Sequence, residues 1–430
     1  MDHATARRRL ALFALFFLPG LGLSSWVTRT PDVRDLLGAS TAEMGLVLFG
    51  LSAGSMIGIL GSGVLVSRFG TRPVVTVGIL ATAISTPVIG AGAGLSSSAL
   101  VAAGLFLFGF GVGGGEVAMN VEGADVERVI GRAVLPLMHG FFSFGTVVGA
   151  ILGMLLTAGS FPVTWHLTVI GLITAPIAVL AIRQLPTGIG VQPRTAAVEK
   201  TGPPVWRDST LLLIGVVVLA MALAEGAAND WLPLLMVDGH GFDAALGSAV
   251  YVVFAAAMTI GRFGGGWFLD RFSRATVLGA SAVIGGIGVA LVVFVDNQIV
   301  AAAAVLLWGV GAALGFPVAL SAAGDSGDNP TARVSLVATV GYVAFLVGPP
   351  ALGFLGEHYG LRYAMITVLV LLAVAAVLAP ALNRARSAMD PVPVGPDPVP
   401  FGTERVPAGP DQVSSGEAGD QAPASLDTAR

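Results

Sequence analysis

GVLVSRFGTR at residues 63–72 and GWFLDRFSR at residues 266–274 decide how this chain is read. Each follows a long apolar run, and each sets a Gly, two Arg and a short turn at the end of that run. The copies lie roughly 200 residues apart, near the end of the second apolar run of each half, as expected of one unit laid down twice. The rest of the halves can be overlaid on this pair. Trp26 falls opposite Trp231, Gly78 opposite Gly279, Gly109 and Gly111 opposite Gly309 and Gly311, and Arg132 opposite Arg333.

Composition sets the solvent. Apolar residues are 55% of the chain and charged residues 11%, against about 25% charged in soluble domains. So little charge could not cover a water-soluble surface. Stretches such as 74–93, 211–237 and 361–382 match or exceed the ~20 residues that cross a bilayer core. The 59 Gly suit close helix packing in lipid. Cysteine is absent, which excludes disulfides and Cys-ligated metals, and the 5 His show no ligand spacing. The net charge of −4 argues against a nucleic-acid partner.

Twelve spans are predicted, at 10–30, 43–66, 74–93, 99–121, 135–158, 164–184, 209–236, 244–268, 275–295, 299–322, 333–355 and 361–382. All must be helical, because backbone groups facing lipid have no water to bond. Residues 7–22, RRRLALFALFFLPGLG, imitate a signal peptide but lack an A-x-A site and have a partner in the repeat, so they read as the first span. With the N-terminus inside, the cytoplasmic side collects Arg7, Arg8, Arg9, Arg68, Arg72, Arg128, Arg132, Arg271, Arg274 and Arg333 among others. The outside holds Arg29, Arg34 and Arg362. That bias predicts both termini in the cytoplasm. The expected organisation is a six-helix half at 1–184, a Pro-rich cytoplasmic linker at 185–208, a second half at 209–383, and a disordered cytoplasmic tail at 384–430.

The loop between spans 2 and 3 and its echo between spans 8 and 9 resemble the Gly-x-x-x-Asp-Arg-x-x-Arg signature of the major facilitator superfamily. The second copy keeps Gly266, Asp270, Arg271 and Arg274. The first keeps Gly63, Arg68, Gly70 and Arg72, with Ser67 where the family has Asp. A finer resemblance is to the bacterial branch that includes the membrane proteins MosC and YbjJ. It rests on EVAMNVEG (116–123), GR (131–132), HGFFSFG (139–145), EGAANDW (225–231) and FLVGPPALG (345–353). The resemblance covers about residues 10–383. It implies two six-helix bundles, alternating access and a loop that latches the cytoplasmic gate through charge pairs, a role that Ser67 puts in question for the first copy. It also implies a central cavity lined by spans 1, 4, 7 and 10, a bacterial plasma-membrane location and monomers as the usual form.

A charge inside the bilayer costs about 3 kcal/mol or more and needs a reason. Glu116 lies in span 4 with Asn120 one turn on. Glu225 lies in span 7, followed by Asn229, Asp230 and Trp231. The repeat sets Glu116 opposite Phe316 and Glu225 opposite Gly20, so neither glutamate belongs to the shared plan of a half. Both are expected to face the cavity, at least one exchanging a proton during transport. Arg29, at the outer end of span 1, either binds an anionic group or snorkels to the interface. Trp26 and Trp231 form an aromatic clamp across the halves or part of an interfacial belt. His139 reads as a cytoplasmic interface residue before a proton relay. Arg262 reads as a structural link within the cytoplasmic gate, two turns before Asp270.

The function expected from these features is proton-coupled secondary transport of a small solute, with a proton antiporter exporting drugs or metabolites, or a non-transporting sensor, as alternatives. The Gly-Pro-Pro run at 348–350 resembles a motif that drug/proton antiporters place in span 5, yet here it is in span 11, which weakens the exporter reading. No G-x-x-x-x-G-K loop is present to use ATP, no nucleophile–base set suggests an enzyme, and no cofactor is expected beyond the proton gradient.

Overall fold

The computed structural model describes residues 3–132, 134–191, 205–327 and 329–380. The tail and linker residues 192–204 lie outside the described residues. Beyond a 3-10 turn at Val205–Arg207, the regular elements are α-helices: α1 His3–Val27, α2 Thr30–Leu37, α3 Thr41–Phe69, α4 Thr71–Gly94, α5 Ser98–Ile130, α6 Leu135–Ala158, α7 Val163–Ile182, α8 Ser209–His240, α9 Ala244–Leu269, α10 Arg274–Phe294, α11 Gln298–Ala313, α12 Gly315–Gly324, α13 Pro330–Tyr359, α14 Leu361–Ala364 and α15 Ile366–Leu378. Among the described residues they supply 12 stretches long and apolar enough to cross a bilayer, with α11–α12 and α14–α15 each making one. Large apolar side chains such as Leu60, Leu172 and Val377 stand exposed on the outside, as lipid-facing positions do.

The sequence explains where the helices begin, end and break. Ser40 and Glu43 form a capping box at the start of α3. Asp208, Asp243, Ser273 and Asn297 cap α8, α9, α10 and α11 with side-chain oxygens. The fourth span runs to Ile130, nine residues past the limit expected at 121. EGADVERVI holds no proline and the helix runs on through Gly123, stopping only at Gly131, whose φ of 70° is left-handed. The tenth span, expected to be continuous, breaks at Leu314. Pro317 lacks the N–H that would reach the Ala313 carbonyl.

The repeat is visible as matched helix crossings. Gly109 of α5 lies against the Leu51 carbonyl of α3, and Gly309 of α11 lies against the Phe254 carbonyl of α9. Gly111 meets Gly78 and Thr82 of α4, and Gly311 meets Ser281 and Gly285 of α10. The same small residues bring the same helices together in each half.

The two six-helix bundles touch each other unequally along their length. One end of the molecule, here the α2 end, carries α2 and the start of α3. The other, the loop end, carries residues 63–72 and 266–274. At the α2 end a single apolar core runs through both bundles, joining Trp26, Met44, Leu48 and Leu105 to Trp231, Tyr251 and Leu352. At the loop end the first bundle has a core of its own, built on Leu12, Phe16, Val75, Met119 and Met138. Polar contacts follow the same division. Arg34 of α2 pairs with Asp238 of α8, Ser248 of α9 donates to the Thr28 carbonyl at 2.8 Å, and the Ala42 N–H of α3 donates to Glu357 of α13 at 3.2 Å. α3 and α13 cross at this end through Gly45 and Gly353. The bundles are closed at the α2 end, and a cleft opens between them toward the loop end.

Each bundle is knotted by charges at its loop end. In the first, Arg8 of α1 pairs with Glu122 at 2.7 Å and Asp125 at 2.8 Å, both on α5, and Thr71 donates to Glu122, which is fully buried. In the second, Arg333 of α13 pairs with Asp208 at 2.5 Å and donates to Ser326 at 2.7 Å. Partial burial opposes ionisation of Asp208, but Arg333 and the N–H groups of Thr210 and Leu211 outweigh it and hold the carboxyl below the usual range. A lowered carboxyl contributes stability that is present above its unfolded value and is lost as pH falls through its folded one. Asp208→Asn keeps the helix cap and removes the pair. It is expected to cost about 1 kcal/mol near neutral pH, after screening. Denaturation in micelles should show the difference from wild type vanish under strong acid.

Candidate functional site

The charged residues of the spans converge where the cleft ends, at the level where the bundles begin to touch. α5 brings Glu116 and Asn120, α6 His139, α8 Glu225, Asn229 and Asp230, α9 Tyr251 and Arg262, and α13 Tyr342. Antiparallel packing of α8 and α9 sets Arg262 against Glu225, with a guanidinium nitrogen 2.7 Å from the carboxylate. Arg262 is therefore not a link to the Asp270 loop, as its spacing on the helix suggested. It reaches away from the gate, into the cluster. Tyr251 donates to the Asn229 side chain at 3.0 Å. In the first bundle, His139 Nε2 and Asn120 Oδ1 are 3.0 Å apart, and the edge of Phe16 meets the His139 ring at a centroid distance of 5.1 Å.

Glu116 is the exception. It lies within electrostatic reach of His139 in its own bundle and of Arg262 and Glu225 across the cleft, and Tyr342 of α13 lies within reach of it. Among the described residues its carboxyl has no hydrogen-bond partner. Asp230 also lacks one and is 7% exposed. The cluster thus holds three carboxylates against one guanidinium, with an unpaired acid on each side of the cleft.

The remaining candidates sit elsewhere. Arg29 is 1% exposed and bound on every side, by Asp32 and Thr157 at 2.7 Å, His166 Nδ1 at 3.2 Å and the Phe161 carbonyl. It neither snorkels nor faces the cleft. Burial pushes its pKa down, and Asp32 acts against that shift. Trp26 and Trp231 are both buried in the core that joins the bundles at the α2 end, not lining the open cleft and not at a surface. The indole N–H of Trp231 has no partner among the described residues.

The loop-end residues are apart from one another in this arrangement. Arg68 lies over Phe69 at 5.2 Å, and Ser67 donates to the Val64 carbonyl. Arg271 lies over Trp267 at 4.0 Å, Arg274 pairs with Asp325 in its own bundle, and Arg72 lines a groove with Phe69 and Thr187. Asp270 is exposed and has no ion-pair partner among the described residues. A Cβ on Gly63 or Gly266 would meet nothing within 4 Å.

Sequence reasoning passed over Glu122 and Asp125, although both are intramembrane or near-membrane acids. Their spacing from Glu116 and Asn120 carried no sign that Arg8, over a hundred residues earlier, would answer them.

Two helical bundles joined at one end around a charged intramembrane cleft define a membrane transporter. Residues 10–334 match the Major Facilitator Superfamily, and the chain belongs to that superfamily of secondary transporters. An uncharacterized MFS-type transporter of Yersinia pestis is 30% identical over 372 residues, covering 86% of this chain and 94% of that protein. The membrane protein MosC of Rhizobium meliloti is 23% identical over 389 residues, 90% of this chain and 93% of that one. A crystal structure of the nucleoside transporter NupG superposes with a TM-score of 0.72 at 14% identity, over 88% of this chain and 99% of that chain, a likeness of fold alone.

Proposed function

We propose that this chain carries a small solute across the bacterial plasma membrane in exchange with, or together with, protons, acting as a monomer with both termini in the cytoplasm. The observation that carries the reading is Glu116: an acid at membrane depth, at the closed end of the cleft, without a hydrogen-bond partner and facing the Arg262–Glu225 pair. An unpaired carboxylate is costlier at that depth than a neutral carboxyl, so the position suits a group that gains and loses a proton as access alternates. With the N-terminus inside, the cleft is open to the cytoplasm, and the gate residues Asp270, Arg68 and Arg271 stand apart because that gate is open.

The test is flux in proteoliposomes under an imposed pH gradient, with a panel of radiolabelled solutes. Accumulation should collapse with a protonophore. Glu116→Gln should retain exchange of solute across the membrane and lose gradient-driven accumulation by about 100-fold, since removing a charge change at a coupling site leaves rocking possible and work impossible. Wild-type accumulation in that variant would sink the proton role. The sign of the gradient that drives uptake separates import from export.

A further inference from the structure

The first copy of the repeated loop differs from the second in more than Ser67. The repeat sets Arg72 opposite Arg274 and Asp125 opposite Asp325. Arg274 is paired with Asp325 in the second bundle. In the first, Asp125 is taken by Arg8 at 2.8 Å and by Arg128 at 3.4 Å. The Arg72 side chain is left without a hydrogen bond or ion pair among the described residues. It lines a groove of about 470 Å³ with Phe69, Thr76, Val77 and Thr187. Two chain segments form that groove. One is the turn from α3 into α4. The other is the chain that leaves α7, held on the turn by the Thr71 N–H, which donates to the Ile189 carbonyl at 2.8 Å. Arg68 on the first segment and Arg183 on the second are exposed and have no acidic partner among the described residues. Residues 63–77 and 182–191 contain no Asp or Glu, so nothing in either segment balances these charges.

The groove also opens onto lipid. Val77 and Ile84, seven residues apart on one face of α4, are both exposed. α4 and α7 pack antiparallel, Pro87 against Gly171 and Gly90 against Thr164, which sets the exposed Leu180 of α7 level with Val77. We propose that this groove binds an anionic phospholipid of the adjoining leaflet, with the phosphodiester on Arg72 and one acyl chain along the Val77–Ile84 face of α4. A guanidinium presents two parallel N–H donors to a phosphate, and Thr187 adds a hydroxyl. Basic residues gathered at a membrane surface draw anionic lipid, and Arg68 and Arg183 add to that attraction. An Asp at position 67 would set a carboxylate beside Arg68 and oppose the phosphate. Ser67 carries no charge, and its hydroxyl is spent on the Val64 carbonyl at 2.9 Å. The second copy has Asp270 at that position and Asp325 on Arg274, so it offers a phosphate neither a neutral rim nor a free guanidinium. Neither the proton role of Glu116 nor the orientation of the chain enters this inference.

Native mass spectrometry of the full chain from mixed micelles tests this, because it counts the lipids kept by the folded protein. The wild type should retain phosphatidylglycerol over phosphatidylcholine of the same acyl chains by about tenfold. Arg72→Gln should lower the retention of phosphatidylglycerol by about fivefold, and Arg72→Lys should keep part of it. Ser67→Asp should lower it while removing no contact to the lipid, and it serves as the test if Arg72→Gln fails to fold. Arg274→Gln, at the matching position of the second copy, should leave retention unchanged. Equal retention of the two lipids by the wild type overturns the proposal. So does wild-type retention in Arg72→Gln or Ser67→Asp, which would put the lipid elsewhere, and so does a loss in Arg274→Gln as large as in Arg72→Gln, which would mean surface charge alone. Inorganic phosphate added in excess over lipid should not displace phosphatidylglycerol. Displacement would make the groove a site for free phosphate and overturn its assignment to lipid.

Discussion

Gly353→Leu is expected to hold the transporter open at the α2 end and to cut transport by about tenfold to hundredfold. At the crossing of α3 and α13 a Cβ on Gly353 would lie 2.9 Å from the Gly45 Cα and 3.0 Å from the Thr41 carbonyl, both backbone atoms that cannot rotate away. Gly45 is equally tight, its Cβ lying 2.9 Å from the Pro349 carbonyl. Overpacking a contact costs about 1–3 kcal/mol. Here the cost falls on one state only, because the crossing exists only while the α2 end is closed. The equilibrium between the two arrangements therefore shifts by about the same free energy, whatever the intrinsic stability of the bundles. Labelling of a single Cys at the α2 end by a membrane-impermeant maleimide should rise in this variant. Gly63→Leu and Gly266→Leu are the contrast. Their Cβ positions have open space now, so they should leave this arrangement intact and hinder only the one closed at the loop end. Unchanged labelling in Gly353→Leu would mean that α13 slides to accommodate the side chain, and that the crossing does not set the closure.

Sequence and structure divide the work along a physical line. Span number and length were legible because lipid imposes a length and an apolar content that a single chain displays directly. The repeat was legible because its small residues recur at nearly fixed spacing, and Gly109 and Gly309 do meet equivalent carbonyls. That acids at 116 and 225 lie inside spans, where a charge is costly, was legible. What they would face was not. Helix spacing ties Arg262 to Asp270, because spacing along one helix is visible in a sequence and an antiparallel neighbour is not. Glu225 lies 37 residues earlier, and only the register of α8 on α9 brings the two together. The settings of Arg29 and the two Trp are not legible for a related reason. An Arg or Trp near a span end is compatible with an interface, a ligand site or a buried knot, and these differ only in tertiary partners. The break at Leu314 could have been read from Pro317, which breaks a helix wherever no side chain or neighbour replaces the lost bond.

Arg29→Ala is expected to destabilise the protein by about 3–5 kcal/mol, with no solute present, through loss of a buried ion and the bonds it satisfies. The guanidinium is the meeting point of three elements. It bonds Asp32 of α2, Thr157 of α6 and His166 of α7, and the Phe161 carbonyl between α6 and α7. Burial pushes the Asp32 carboxyl above its ordinary range while Arg29 draws it down, so removing Arg29 leaves an acid that must be protonated or rehydrated. The Phe161 carbonyl and His166 Nδ1 would be left without donors, next to a His166 Nε2–H that already lacks an acceptor among the described residues. Arg29→Lys should recover only part of the loss. A compact ammonium with three donors cannot span an imidazole, a hydroxyl, a carboxylate and a carbonyl that lie around a planar fork. Equilibrium unfolding in mixed micelles measures the difference directly. The outcome also decides between two roles for this residue. Were Arg29 a contact for an anionic solute, its loss would lower affinity and leave the empty protein about as stable as before. A knot between α2, α6 and α7 predicts the reverse, a large loss in the empty protein and no selective change toward anions among the variants that still fold.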